Sequence, residues 1–217
     1  MWQDIPIFIN NRNHLDIGFR DLVNWLIESG SRRIEVIDND STFPPLLDYY
    51  NHCPVKVHKL KKNMGPQAFW DCGIDFNVWS HYVVTDSDVV PGSECPKDLV
   101  KRMFEIFNKY ESQGCTKVGP GIKLNIPACY QRQREVISHE TQFWQNEVEP
   151  GLYEAAIDTT FGLYSELRFA IPGKKQYRLQ PPYVIEHKPW YIDKDKRPLE
   201  DRYYTEHNQN CWSYWCK

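Results

Sequence analysis

From residue 5 to residue 90 the chain alternates two hydrophobic patterns. Strand patterns recur at residues 5–9 (IPIFI), 33–37 (RIEVI), 55–60 (VKVHKL) and 81–85 (HYVVT). The first is a short apolar run of the kind buried in a parallel sheet, and the others read as further strands. Between them the apolar positions follow the helical period. Phe19, Leu22, Val23, Leu26 and Ile27 fall at i, i+3, i+4, i+7 and i+8, one stripe that stops at Gly30. Pro44 opens a short second helix through Tyr50, and residues 66–79 (PQAFWDCGIDFNVW) predict a third. Four strands with three intervening helices are βαβ units.

Beyond Val90 the pattern loosens. Val100, Met103, Phe104 and Phe107 predict a helix, and residues 131–147 a polar one. Residues 177–187 (YRLQPPYVIEH) predict one late strand interrupted by a proline pair. There is no internal repeat, low-complexity tract or linker, so the expectation is a single α/β domain with an elaborated C-terminal half.

Composition narrows the function. A chain of 217 residues buries enough surface to fold without staples. Net charge −3 and pI near 6.2 argue against a nucleic-acid partner, and the run KLKKN (residues 59–63) is too short to reverse that. The seven cysteines form no C-x-x-C pair and read as reduced thiols of a cytoplasmic protein. The first ten residues lack a basic, then apolar, leader pattern, and no run approaches ~18 apolar residues, so no transmembrane segment is expected.

The fourth strand runs directly into two carboxylates, Asp86 and Asp88 of TDSDVV. One residue apart on extended chain, they point to the same side and repel. The same spacing at Asp38/Asp40 and Asp193/Asp195 means that spacing alone decides nothing; position does. In an open α/β sheet, ligands bind beyond the carboxyl ends of the strands. Three predicted strands end there in polar clusters: Asn10, Asn11 and Arg12; Asp38, Asn39 and Asp40; Asp86, Ser87 and Asp88. Asp193/Asp195 follows no such strand and reads as a solvated face. Hard oxygen ligands suit Mg²⁺ or Mn²⁺, bound partly through substrate phosphates. No G-x-x-x-x-G-K-[ST] loop and no G-x-G-x-x-G follows the first strand, which leaves a metal bridging a diphosphate without a glycine cradle.

IPIFINNRNHL, IEVIDNDST, KKNMGPQAFWDCGI and YVVTDSDVVP, in this order, resemble the successive blocks of family 2-type glycosyltransferases of the GT-A fold. The resemblance continues through AAIDTTFGLY and VIEHKPWYID, a combination similar to small bacterial and large-DNA-virus transferases, and covers roughly residues 5–195. It departs from the family in lacking a proline at the end of the first strand and in having Asp40 where many members have glycine.

The resemblance implies a GT-A (Rossmann-like) mixed sheet flanked by helices, with a nucleotide-binding half at about residues 1–92 and an acceptor-side half at about 93–217. It implies transfer of a sugar from a nucleotide-diphosphate sugar, UDP- or dTDP-linked, to a glycan or other hydroxyl acceptor, with inversion and with Mn²⁺ or Mg²⁺. Asn11 and Arg12 would lie beside the nucleoside, Asp38 or Asn39 at the base edge, and Lys62 and Asn63 near the base or phosphates. Asp86 would touch the ribose or a metal-bound water, Asp88 would ligate the metal, His187 of EHKPWY would complete its shell, and Asp158 would be the general base. Each has a structural alternative. Asx residues cap turns, an exposed lysine is solvated, and a histidine at a strand end packs.

Two other readings compete. Asp86 as nucleophile would make a haloacid-dehalogenase-type phosphatase, although that motif normally ends the first strand and here three β/α units precede it. A non-catalytic nucleotide-sugar-binding module would keep the metal site without a base.

Overall fold

The computed structural model describes residues 1–76, 78, 80–130, 132–157, 160–165 and 174–207. Asp158 lies outside the described residues.

The four N-terminal strands form where the apolar runs predict them: β1 (Ile7–Asn11), β2 (Ile34–Asp38), β3 (Lys56–Lys59) and β4 (Tyr82–Asp86). They lie side by side, all parallel, in the order β3-β2-β1-β4. Period-2 alternation splits their side chains between two layers. Ile7, Ile9, Val36 and Val83 join the core beneath helix α1 (Phe19–Glu28), while Phe8, Ile37, Tyr82 and Val84 join a smaller aromatic cluster on the other face. The α1 stripe buries Phe19, Leu22, Val23 and Leu26 completely, each worth roughly 1.5–3 kcal/mol. Ile27, expected in that stripe, is 43% exposed because it lies at the stripe's edge.

Helix α2 (Pro44–Tyr49) starts at the expected proline. The third helix is much shorter than its sequence predicts. A 3-10 turn at Gly65–Gln67 leads into α3 (Ala68–Asp71), and the chain then leaves helical geometry. Gly73 takes a left-handed φ of +71°, which ends the helix. The aromatic spacing that suggested a longer one serves ring packing instead, with Phe76 stacked on Phe69 at 5.1 Å and tilted on Phe8 at 4.8 Å.

The second half adds β5 (Val89–Pro91), α4 (Leu99–Tyr110), β6 (Cys115–Gly119), β7 (Gly121–Ile122) and α5 (Gln133–Thr141). These are followed by β8 (Glu147–Glu149), β9 (Leu152–Glu154), β10 (Phe161–Tyr164), β11 (Lys175–Leu179), β12 (Val184–His187) and α6 (Leu199–His207). The polar helix expected over residues 131–147 is therefore α5, a 3-10 turn and the first residue of β8. The late strand over residues 177–187 is really two, with Pro181 and Pro182 between them: neither proline has an N–H to give a ladder. β11 joins the large sheet and β12 a small one, β5-β12-β7. The large sheet reads β3-β2-β1-β4-β10-β6-β11-β9-β8, and β10 runs antiparallel to β4 and to β6, making the sheet mixed. Among the described residues no helix is long and apolar enough to cross a membrane.

Candidate functional site

Strand register gathers the polar clusters on one rim. Asn10 stands opposite both Ile37 and Asp86, and Asn11 opposite Asp38, so β1, β2 and β4 end level with one another.

The β1 and β2 ends are tied together by their own side chains. Asn11 is fully buried; its amide donates to the His14 carbonyl at 3.0 Å and to the Tyr50 hydroxyl at 2.9 Å. That hydroxyl donates to Asp38 Oδ1 at 3.1 Å. Asp38 is only 3% exposed, and burial pushes its carboxyl pKa up, against the opposing hydrogen bonds from Ser41 and Tyr50. Arg12 donates to the carbonyls of Asn39 and Asp40 at 2.8 and 2.9 Å, fixing the turn in which Asp40 adopts φ +63°. Asn39 accepts from Met64 N at 2.6 Å and donates to the Gly65 carbonyl at 2.9 Å, while Asn63 accepts from Gly65 N at 2.9 Å. These Asx side chains thus serve turn and loop geometry. Asn11 faces protein rather than cleft, and Lys62 is exposed.

On β4, the Asp86 N–H and the Thr85 hydroxyl both donate to the Thr160 carbonyl, at 3.1 and 2.8 Å. Asp88 Oδ2 lies 3.4 Å from His187 Nε2, with both side chains about one-fifth exposed. Pairing of β12 with β5 places His187 opposite Val89, and Lys188 N–H donates to the Asp88 carbonyl at 2.8 Å. The histidine from the late strand and the second aspartate of TDSDVV, ninety-nine positions apart, therefore meet at one point. Gly18, at φ +105°, backs this turn: a Cβ there would come within 2.9 Å of the Ser87 carbonyl and 3.0 Å of Asp88 Cα. Trp190 is 2% exposed, a core residue against which the His187 ring tilts at 4.6 Å.

Among the described residues no group of three or more His, Cys, Asp or Glu side chains converges closely enough to hold a cation alone. The Asp88/His187 pair still fits a divalent ion shared with a ligand: one hard oxygen and one imidazole, with the remaining positions for phosphate oxygens and water.

Sequence reasoning missed a second set of residues. Gln176 Oε1 accepts from Ile157 N at 2.8 Å, Arg178 donates to the Ala156 carbonyl at 3.0 Å, and the buried Lys117 ammonium donates to the Ile157 carbonyl at 2.7 Å. Two glycines make room for this clamp. A Cβ at Gly162 would lie 2.5 Å from Lys117 Cε, and one at Gly119 would lie 2.6 Å from the Phe161 carbonyl and 3.0 Å from Ile157 Cγ2. The described chain on either side of positions 158 and 159 is thus anchored at the rim, at Ile157 and at Thr160. Glu154 is engaged on β9 by Lys175 at 3.3 Å.

No family model and no curated protein matches the chain. Solved structures do. The mannosyltransferase PcManGT from Pyrobaculum calidifontis, in complex with GDP-Man and Mn²⁺, aligns over 84% of this chain and 56% of its own length, with TM-score 0.54 and 10% identity. A mycobacterial protein aligns over 90% of this chain and 68% of its own, with TM-score 0.51 and 11% identity. This chain spans little more than half the length of PcManGT. At such identities the likeness is one of fold: the chain is a single α/β domain with a GT-A mixed sheet flanked by helices.

Proposed function

We propose that the chain is a metal-dependent glycosyltransferase of the family 2 type, moving a sugar from a nucleotide-diphosphate sugar to a glycan or other hydroxyl acceptor. The observation that carries this is the meeting of Asp88 and His187 on the carboxyl rim of the sheet. The fold is shared with a mannosyltransferase whose structure holds GDP-Man and Mn²⁺.

A divalent cation held at that rim would supply charge to offset the departing diphosphate. Asp88 and His187 would hold Mn²⁺ or Mg²⁺, and Asp86, at the same rim, would touch the ribose or a metal-bound water. Arg12, Asp38, Asn39 and Asn63 frame the nucleoside, Asn11 buttresses Asp38 from behind through Tyr50, and Lys62 reaches the phosphates from solvent. Asp158 takes the proton from the acceptor hydroxyl as it attacks opposite the leaving group, a contribution of ~10²–10⁴-fold. The donor is UDP- or dTDP-linked, and the enzyme works in the cytoplasm. Asp86 as a phosphatase nucleophile has nothing in its favour beyond the DSD spacing.

Calorimetry with UDP, dTDP and GDP in Mn²⁺ tests the reading. Asp88→Asn should weaken binding at least tenfold, whereas Asp195→Asn, whose side-chain neighbour Asp193 merely caps a 3-10 turn, should bind as wild type. Asp158→Asn should bind donor normally and lose at least a hundredfold in turnover. Equal binding by the Asp88 and Asp195 variants refutes the metal assignment.

A further inference from the structure

Beside the small sheet lies an open pocket of about 310 Å³. Leu124, Trp144, Pro181 and Val184 supply its apolar wall, and Lys123 and Gln180 contribute polar groups. The Trp144 ring is seated by a missing side chain: a Cβ at Gly121 would lie 2.4 Å from its Cη2 and 2.9 Å from its Cζ2. Tyr153 meets the same ring edge-on at 5.3 Å. The indole is therefore held at a fixed angle yet stays partly exposed. Lys123 is anchored by Glu186 at 2.8 Å, so its charge is paired at the pocket's edge.

We propose that this pocket binds a pyranose ring of the acceptor, one sugar beyond the ring whose hydroxyl reacts. The inference rests on the transferase reading above and specifies its acceptor as an oligosaccharide or glycoside. Three features favour a sugar. A fixed aromatic plane suits the C–H face of a pyranose, and a few polar groups beside it suit its hydroxyls. The volume is at the lower end for small-molecule sites, room for a ring rather than a nucleotide. A lipid tail laid here would strip water from the Lys123–Glu186 pair, which is unfavourable without compensation. Position fits as well. Both sites lie on β12, which begins at Val184 in the pocket and ends at His187 of the metal pair, roughly 10 Å of strand away.

The test needs neither nucleotide nor metal. In ¹⁵N-labelled full chain, the Trp144 indole N–H is assigned by its loss in Trp144→Phe. Cellobiose, maltose, and the methyl glycosides of glucose, galactose, mannose and N-acetylglucosamine are then titrated, with octanol as the apolar control. The expected result is a saturable shift of that signal by at least one sugar. Binding should weaken roughly tenfold or more in Trp144→Ala. Gly121→Ala, which displaces the ring, should act in the same direction. Absence of a shift with every sugar, or a shift with octanol alone, overturns the proposal. Calorimetry of UDP, dTDP and GDP with Mn²⁺ separates the two claims. Trp144→Ala should bind nucleotide as wild type does. A wild-type chain that binds sugar here but no nucleotide leaves this pocket standing and removes the transferase reading.

Discussion

Asp38 shows how a rim residue is tuned by its surroundings. Only 3% exposed, it keeps a carboxyl whose pKa burial has pushed above the usual carboxylate range. The folded state consequently holds the proton more tightly than the unfolded chain. Its favourable contribution is complete below the unfolded pKa, near 3.9, and is lost as pH rises through the folded value. At neutral pH the ionised carboxylate opposes folding. Asp38→Asn, whose carbonyl still accepts from Tyr50, should therefore stabilise the chain at pH 7 and flatten its stability between about pH 4 and the folded pKa, while weakening nucleotide binding. Urea unfolding of both forms across that range checks this; a less stable Asn variant at pH 7 would mean that the charge is favourably held. The cluster to which Asp38 belongs was legible in the sequence as polar residues closing apolar runs. The directions of its side chains were not, because the partners that turn Asn11 and Asn39 inward, Tyr50 and Met64, lie 39 and 25 residues further on.

Among the elements, those with an uninterrupted period were legible. α1 and α4 follow the 3.6-residue stripe, and β1, β2 and β4 follow apolar runs that end in charge. Where a segment is aromatic-rich, as after α3, ring packing outweighed helical spacing. Helix α6 had no stripe to mark it, with only Glu200 buried, yet it secures the rim. The Glu200 carboxylate accepts backbone N–H groups from Leu15, Asp16 and Ile17 at 2.8, 2.7 and 3.0 Å, directly before Gly18 and the Asp88 turn. Tyr203 donates to the Thr42 carbonyl at 2.9 Å, and Tyr204 meets His14 edge-on at 4.5 Å. One short helix thus holds both loops that follow β1 and β2. Glu200→Ala removes an acceptor from three N–H groups, two of them on buried residues, and should cost roughly 2–5 kcal/mol. It should also speed hydrogen exchange at residues 15–18. Arg197→Ala, which breaks a partly exposed ion pair with Asp201, should cost under about 1 kcal/mol. Equal losses in the two variants would show that Glu200 is only another surface contact.

At the scale of the molecule, the chain before and after residue 92 folds as one unit. Without the second half, β4 would present Tyr82, Val83 and Val84 along an open apolar edge that invites aggregation. β10 closes that edge from far along the chain, pairing Val83 with Leu163, and its other side pairs with β6. Both halves therefore share one sheet and one core, and neither can unfold without exposing the other. Far-UV dichroism and tryptophan fluorescence should accordingly trace a single, superimposable thermal transition. A bound donor should move that transition as a whole. At about 100 times its dissociation constant, a nucleotide diphosphate with Mn²⁺ adds ~2.7 kcal/mol, or roughly 5–10 °C for a chain of this size. Metal or nucleotide alone should add less, since the two complete each other's coordination. Two separated transitions, with ligand raising only one of them, would instead establish residues 1–92 as an autonomous nucleotide-binding domain and would contradict the sheet topology as the basis of cooperativity.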